Sequence, residues 1–221
     1  MSNDHLIRQL EILPPDKTDV PITVIGAGAI GSLTVFALTK MGFSDITVID
    51  FDKIEIENMN CQFYRKKDIG KFKVEALKEL IEDFADIKIE AVADKYVGGR
   101  PFKGIVISAV DSMEVRKLIW ETHKGIGVHT KFIIDPRMGA ETAMMYTMNP
   151  MSEEDTKSYE KTLYTDANAA HERCTAKATM YTAGMLAGLV AKAVKDIVTD
   201  GPYPRTAIWS IKDNDFRAWS K

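Results

Sequence analysis

A glycine-rich turn constrains the fold of this chain more than any other feature. Residues 22–25 have the β-branched composition of a buried strand, and Gly26, Gly28 and Gly31 follow them. In such a turn the backbone N–H groups that open a helix face an anion, and the glycines let that anion approach closely. The pattern therefore predicts a nucleotide-binding turn, with a tight strand-to-helix turn that binds no ligand as the alternative.

Short apolar runs alternate with amphipathic stretches over the first 136 residues. This alternation is typical of parallel strands joined by right-handed helical crossovers, so we predict a Rossmann-like, doubly wound α/β fold with a mainly parallel sheet. Beyond Pro136 we expect the sheet to be extended by antiparallel strands, the last of which closes its edge. The predicted strands are residues 22–25, 46–49, 87–89, 105–107, 132–134, 142–148 and 205–211.

Length and composition predict one domain over residues 1–221. A chain of 221 residues with 45% hydrophobic content can bury a single large core. Residues 149–173 are polar, acidic and without apolar periodicity, which predicts a mobile crossover loop. A helix that is apolar on most faces is expected to follow, from about residue 175 to 198.

Charge and cysteine content give no reason to expect several classes of partner. The net charge of -3 comes from interleaved acidic and basic residues, which gives no reason to expect DNA or an anionic membrane. Cys61 and Cys174 offer neither a disulfide framework nor a paired Cys-x-x-Cys site, so no zinc is expected. The chain begins without a signal pattern, and we predict a cytoplasmic protein that has no membrane span.

Three polar residues, two after predicted strands and one at the start of a predicted helix, are candidates for the rest of a nucleotide site. Asp50 closes the second strand, where a carboxylate can accept both ribose hydroxyls, although this would suit an adenine dinucleotide equally well. Lys73 begins an amphipathic helix and can place a compact positive charge on a triphosphate; a solvated helix lysine is the alternative. Asp111 follows the fourth strand and can hold magnesium, cap the helix that starts near Met113, or do both.

Three further motifs, in this order after the glycine turn, resemble the ThiF/MoeB/HesA family, bacterial relatives of ubiquitin-activating enzymes. They are Asp50-Phe51-Asp52, Asn58-Met59-Asn60-Cys61-Gln62-Phe63 and Asp68-Ile69-Gly70-Lys71-Phe72-Lys73. The family pattern is Asp-x-Asp, Asn-Leu-x-Arg-Gln-Phe and Asp-Ile-Gly-x-x-Lys. The resemblance covers almost the whole chain. It implies a homodimer that uses ATP and Mg²⁺ to adenylate a carboxyl terminus, usually that of a ubiquitin-like or sulfur-carrier protein, with release of pyrophosphate.

The resemblance also assigns roles to individual residues. Arg8 matches an arginine that the family supplies across a dimer interface, and a surface arginine is the alternative. Cys174 matches a cysteine that forms a thioester or acyl-disulfide in some members, but we favour a buried small apolar residue. The catalytic residues would be Lys73, Asp111 (with Mg²⁺), Arg8 and Cys174. The nucleotide would be held by Gly26, Gly28, Gly31, Asp50, Asp52, Asn58, Gln62 and Lys73.

The chain departs from the family pattern at Cys61, where the family has an arginine. One phosphate-binding charge is therefore missing, and Arg65 replaces it only if its guanidinium points toward the same phosphates. His123 and His129 are predicted as polar surface. Two other functions stay open: a catalytically impaired member that acts as a binding or regulatory partner, and an NAD-dependent oxidoreductase. The acceptor substrate is not identified by the sequence.

Overall fold

The computed structural model describes residues 6–99, 101–125, 129–164 and 178–219. The strands are β1 (Ile22–Ile25), β2 (Ile46–Ile49), β3 (Glu90–Val92), β4 (Gly104–Ser108), β5 (Thr130–Gly139), β6 (Thr142–Met148), β7 (Thr206–Ser210) and β8 (Asp215–Trp219). The helices are α1 (Ala29–Lys40), α2 (Lys73–Ala85), α3 (Met113–His123), α4 (Glu153–Glu160) and α5 (Met180–Val198).

In the part of the chain that the structure describes, all the named strands join one sheet in the order β3-β2-β1-β4-β5-β6-β7-β8. Strands β1 to β5 pair in parallel, and β6, β7 and β8 are added antiparallel. The predicted fold class is confirmed. Because the chain steps from β1 outward to β3 and then returns to place β4 on the other side of β1, the topological switch point lies between β1 and β4.

Helices cover both faces of the sheet. On one face α1, α2 and α5 bury Leu38, Leu77 and Val190 against the strands. On the other face α3 and α4 bury Trp120 and Tyr159. Complete burial of an aliphatic side chain such as Leu77 contributes about 2 kcal/mol to the stability of the fold. The two helical layers therefore stabilise the sheet from both faces.

Two strands differ from the sequence-based prediction. Strand β3 begins at Glu90, three residues after the predicted start at residue 87, because α2 ends with Asp86 in the left-handed conformation (φ 53°) and the chain must still reach the sheet. The strand predicted at residues 205–211 is present as β7, but its predicted place at the edge of the sheet is wrong, because β8 pairs with its outer side and is the edge strand.

A helix occupies part of the predicted loop at 149–173. The Ser152 hydroxyl caps α4 by accepting the Asp155 N–H at 3.3 Å, and the Tyr159 hydroxyl donates to Asp135 at 2.8 Å. Apolar periodicity is weak here because α4 buries only Asp155 and Tyr159. Residues 165–173 lie outside the described residues, so mobility of this segment stays a prediction. Among the described helices, none combines the length and the apolar character that crossing a bilayer requires.

Candidate functional site

The candidate residues converge at the carboxyl edge of three neighbouring strands. The glycine turn follows β1, Asp50 follows β2 and Asp111 lies three residues beyond the end of β4. Strand register places Ile25 opposite both Ile49 and Ser108, so all three strands end at the same level. This is the switch point between β1 and β4, where open α/β sheets bind their ligands.

Glycine occupies each of the three positions in the turn for a different steric reason. A Cβ on Gly26 would lie 2.4 Å from the Ala109 carbonyl oxygen, and its φ of +97° disfavours other residues. A Cβ on Gly31 would lie 1.9 Å from the Gly26 carbonyl oxygen. A Cβ on Gly28 would meet nothing within 4 Å. The outer glycines therefore serve close packing, while Gly28 leaves open space at the start of α1, where an anion can approach the backbone.

Asp50 is tied to the glycine turn. Its Oδ2 accepts the Ala27 N–H at 2.6 Å, and its Oδ1 accepts the Asp52 N–H at 2.7 Å. Burial raises the pKa of Asp50, although these two backbone hydrogen bonds and the charge of Lys73 act in the opposite direction. Each carboxylate oxygen keeps acceptor capacity for a further donor, such as a ribose hydroxyl.

Lys73 forms an ion pair with the second aspartate of the Asp-x-Asp motif. Its Nζ lies 2.7 Å from Asp52 Oδ2, and its backbone N–H donates to the Asp52 carbonyl at 2.9 Å. Lys73 is 6% exposed, which excludes the solvated helix lysine that we considered as the alternative. An ammonium has three N–H donors, so Lys73 can keep Asp52 and still donate to an anion.

Asn58 and Gln62 differ in whether their side-chain oxygens already accept a hydrogen bond from the described part of the protein. Asn58 Oδ1 accepts the Glu55 N–H at 2.9 Å and so completes the capping box of the 3-10 helix Ile56–Asn60. Gln62 Oε1 is buried and has no hydrogen-bond partner among the described residues. A buried acceptor without a donor is costly, and a ligand that carries hydroxyl or amino groups would satisfy it.

The missing arginine is not replaced by Arg65. The Arg65 guanidinium contacts Asp68 at 2.6 Å, Glu79 at 3.1 Å and Asp83 at 3.0 Å, so it lies in an acidic cluster on the α2 side. The possibility that it compensates for Cys61 is contradicted by these contacts. Cys61 itself is 7% exposed, and burial raises the pKa of its thiol while the charge of Lys73 partly opposes this. At neutral pH it contributes no charge to the site.

Asp111 remains available for a ligand. The helix cap at the start of α3 is Ser112, whose hydroxyl accepts the Val115 N–H at 3.4 Å, so Asp111 does not serve as the cap. Asp111 is exposed. The described residues contain no group of three or more His, Cys, Asp or Glu side chains that could hold a metal ion.

A buried ionic network that the sequence did not predict supports the segment before Asp111. Arg116 forms an ion pair with the fully buried Asp135 and donates to the carbonyl oxygens of Ser108, at 3.3 Å, and Val110. These contacts fix the backbone between the end of β4 and Asp111. Arg116 on α3 and Asp135 on β5 meet only because β5 pairs with β4 in the folded protein. The spacing of the two residues in the sequence does not predict this contact.

Arg8, one of the predicted catalytic residues, is not brought to this edge. Gln9 donates to the Met41 carbonyl at 2.7 Å, and Leu6 packs on Gly42, so the segment that carries the exposed Arg8 lies at the far end of α1. With 12 residues in α1, that end is about 18 Å from the glycine turn. Arg8 is therefore too far from the glycine turn of its own chain to contact a phosphate there. Cys174 lies outside the described residues.

His123 is a core residue, and its prediction as polar surface is wrong. The ring is completely buried, and its nitrogens lie 3.2 Å from the Tyr96 hydroxyl and 2.9 Å from Thr130 Oγ1. Burial lowers the pKa of His123 to about 4. The ring is thus neutral at physiological pH and joins the end of α3 to β5.

Comparison with known proteins gives a family match and structural neighbours. The profile described as "ThiF family" matches residues 17–220. The NEDD8-activating enzyme E1 catalytic subunit of Dictyostelium discoideum is 38% identical over 112 residues, which are 47% of this chain and 25% of that protein. Ubiquitin-like modifier-activating enzyme 5 of Caenorhabditis briggsae is 35% identical over 121 residues, or 47% and 27%. The match thus spans about a quarter of these relatives.

The solved structures support the fold over the whole chain. PaaA superposes with a TM-score of 0.79 at 19% identity, over 97% of this chain and 81% of that one. MccB of E. coli in complex with ATP superposes with a TM-score of 0.75 at 18% identity, over 98% and 71%. The chain is therefore similar in fold to both proteins.

Proposed function

Because the chain belongs to the ThiF family, we propose that it is an ATP-dependent adenylyltransferase that activates a carboxyl terminus as an acyl-adenylate. One observation carries the proposal: the glycine turn, Asp50 and the Lys73–Asp52 ion pair lie together at the switch point of the sheet. A site that only holds a dinucleotide has no use for a buried lysine there. The oxidoreductase alternative is therefore not favoured.

The proposed reaction is an in-line displacement at phosphorus. The acceptor carboxylate, already ionised at neutral pH, attacks the α-phosphorus of ATP, and the bond from that phosphorus to the bridging oxygen of pyrophosphate breaks. No general base is needed. Lys73 neutralises charge on the departing pyrophosphate, the amides of the glycine turn hold the phosphates, and Asp50 holds the ribose.

Magnesium fits the donor chemistry of this edge. Asp111 and the half-exposed Asp52 are the oxygen donors that would hold Mg²⁺ together with the phosphates of ATP. When bound, the ion would supply positive charge for the triphosphate. This charge matters because three carboxylates, those of Asp50, Asp52 and Asp111, lie at the edge with Lys73.

The acceptor class follows from the relatives and stays part of the proposal. The curated relatives are named for NEDD8 and for ubiquitin-like modifiers, and MccB was solved with MccA as well as with ATP. A protein or peptide carboxyl terminus is thus the substrate class that we propose. A ubiquitin-like or sulfur-carrier protein is the first candidate within it.

A second function is favoured by one specific observation. Cys61 removes a phosphate-binding charge, and Arg65 is held by three acidic residues elsewhere. A member that binds nucleotide without activating a carboxylate would have these properties. Retention of Lys73 in a buried ion pair argues for the enzyme, since a binding module has no need to keep it.

ATP–pyrophosphate exchange in the presence of acceptor candidates tests the proposal. Labelled pyrophosphate enters ATP only when the acyl-adenylate forms and reverses, so we expect exchange with at least one member of a panel of diglycine-ended ubiquitin-like proteins. The same proteins with the terminal glycine removed are the matched control. ATP binding without exchange for any acceptor would favour the binding module.

A further inference from the structure

The two peptide groups on either side of Ala27 in the glycine turn are each held by a side chain from outside the turn. The Ala27 N–H donates to Asp50 Oδ2 at 2.6 Å, and the Ala27 carbonyl accepts the Tyr64 hydroxyl at 2.6 Å. Asp50 is fixed in turn by the Asp52 N–H. Ala27 is flanked by Gly26 and by Gly28, the two residues with the greatest backbone freedom, so these contacts limit motion where it would otherwise be largest.

The Tyr64 contact determines where a neighbouring amide points. The Ala27 carbonyl and the Gly28 N–H belong to one planar peptide group and point in opposite directions. A hydroxyl that holds the carbonyl on one side therefore aims the Gly28 N–H at the other. Within the described residues that N–H donates to no protein acceptor, and the space beside Gly28 is open. It is the amide of the turn best placed to meet an anion.

Backbone hydrogen bonds of residues 63 and 64 hold Tyr64 beside the glycine turn. The Tyr64 N–H donates to the Gln62 carbonyl at 3.0 Å, and the Phe63 N–H donates to Ser32 Oγ of α1 at 3.1 Å, which ties this segment to the helix that the turn opens. Burial raises the pKa of Tyr64 well above its usual value, and the charges of Asp50 and Asp52 add to this. The hydroxyl therefore stays protonated and can only donate to the carbonyl.

We propose that Tyr64 is a positioning residue that fixes the Ala27–Gly28 peptide so that the Gly28 N–H binds a phosphate of the nucleotide. The inference rests on the proposed function in that it requires a nucleotide at this site. Donation into the carbonyl also polarises the peptide and strengthens its N–H as a donor. The effect is specific for the phosphate part of the ligand, because the hydroxyl acts on the turn and not on Asp50, which serves the ribose.

Tyr64→Phe tests this role because it removes the hydroxyl and keeps the packed ring. We expect ADP and ATP to bind about tenfold more weakly to the variant, while adenosine binds within about twofold of wild type. Tyr181→Phe is the matched control, since it removes a hydroxyl hydrogen bond of 2.6 Å to Glu141 at an exposed position outside the site. Titration calorimetry measures the nucleotides, and NMR titration measures adenosine.

The outcomes separate this inference from the proposed function. Equal ADP affinity in Tyr64→Phe and wild type, or an equal loss for ADP and adenosine, would overturn the role of Tyr64 and leave the proposed function intact. Failure of wild type to bind ATP would overturn the proposed function itself. If Tyr64→Phe does not fold, the wild-type Gly28 amide resonance provides the test: it must shift with ADP and not with adenosine, and a resonance unmoved by ADP overturns the inference.

Discussion

At the scale of single residues, the charge at the proposed phosphate site distinguishes this chain from its family pattern. Cys61 is buried beside Lys73 and stays neutral, because burial raises the pKa of its thiol. Arg65 is held by Asp68, whose pKa is raised by burial but lowered on balance by its hydrogen bonds to Arg65 and Lys71. Lys73 is therefore the cation that we propose for the triphosphate.

Cys61→Arg should increase activity if the missing charge limits the reaction. Restoring one charge-assisted contact to the reacting phosphates should raise kcat/KM for ATP in the exchange assay by at least about tenfold. Cys61→Ser, which restores no charge, should behave as wild type. A folded Cys61→Arg variant that shows no gain would contradict the assignment of this position to phosphate binding.

Some site residues can be predicted from sequence because they occur at fixed points of a strand-turn-helix unit. Asp50 and Lys73 are of this kind, since the strand end and the helix start determine where each side chain begins. Tyr64 and Arg116 are not, because their contacts with Ala27 and Asp135 depend on how separate segments pack. Whether Asp50 and Lys73 bind nucleotide stays a prediction.

At the scale of elements, periodicity predicts the parallel half of the sheet better than the segments around it. The runs at 22–25 and 46–49 are continuous and apolar because those strands are buried on both faces. Strand β8 was missed because it is short, contains no β-branched residue and is exposed along its length, although Phe216, Ala218 and Trp219 are apolar. Helix α4 was missed for a related reason, since it presents only two buried side chains to the core.

The buried His123, at the end of α3, should make the stability of the protein depend on pH. The pKa of His123 is about 4 in the folded chain and 6.5 as the ordinary value, so the unfolded chain binds the proton more readily. Stability is therefore full above pH 6.5 and falls by about 3 kcal/mol as the pH drops toward 4. Urea unfolding of wild type between pH 7.5 and 4.5 measures this loss.

Two substitutions isolate the histidine. His123→Gln is neutral at every pH and should show a much flatter dependence over that range, even if it is less stable overall. His129→Gln, at an exposed position, should retain the wild-type dependence. Identical pH dependence in His123→Gln and wild type would show that other groups cause the loss.

At the scale of the whole molecule, the position of Arg8 gives the predicted homodimer a testable consequence. Arg8 lies at the far end of α1 from its own glycine turn, so an arginine that acts at the phosphates must come from the partner subunit. If the chain forms the predicted homodimer, co-expressed Arg8→Ala and Lys73→Ala chains should form mixed dimers that retain one intact site. We expect about a quarter of wild-type exchange from the mixture and little from either variant alone. An inactive mixture, or full activity of Arg8→Ala alone, would contradict this arrangement.

The central claim is that Lys73 activates ATP for attack by a carboxylate. The most direct measurement compares ATP–pyrophosphate exchange in Lys73→Ala and Lys78→Ala, because Lys78 is an exposed lysine on the same helix. With an acceptor that supports exchange in wild type, we predict that Lys78→Ala retains the wild-type rate and that Lys73→Ala loses about two powers of ten. Equal exchange rates in the two folded variants would contradict the account.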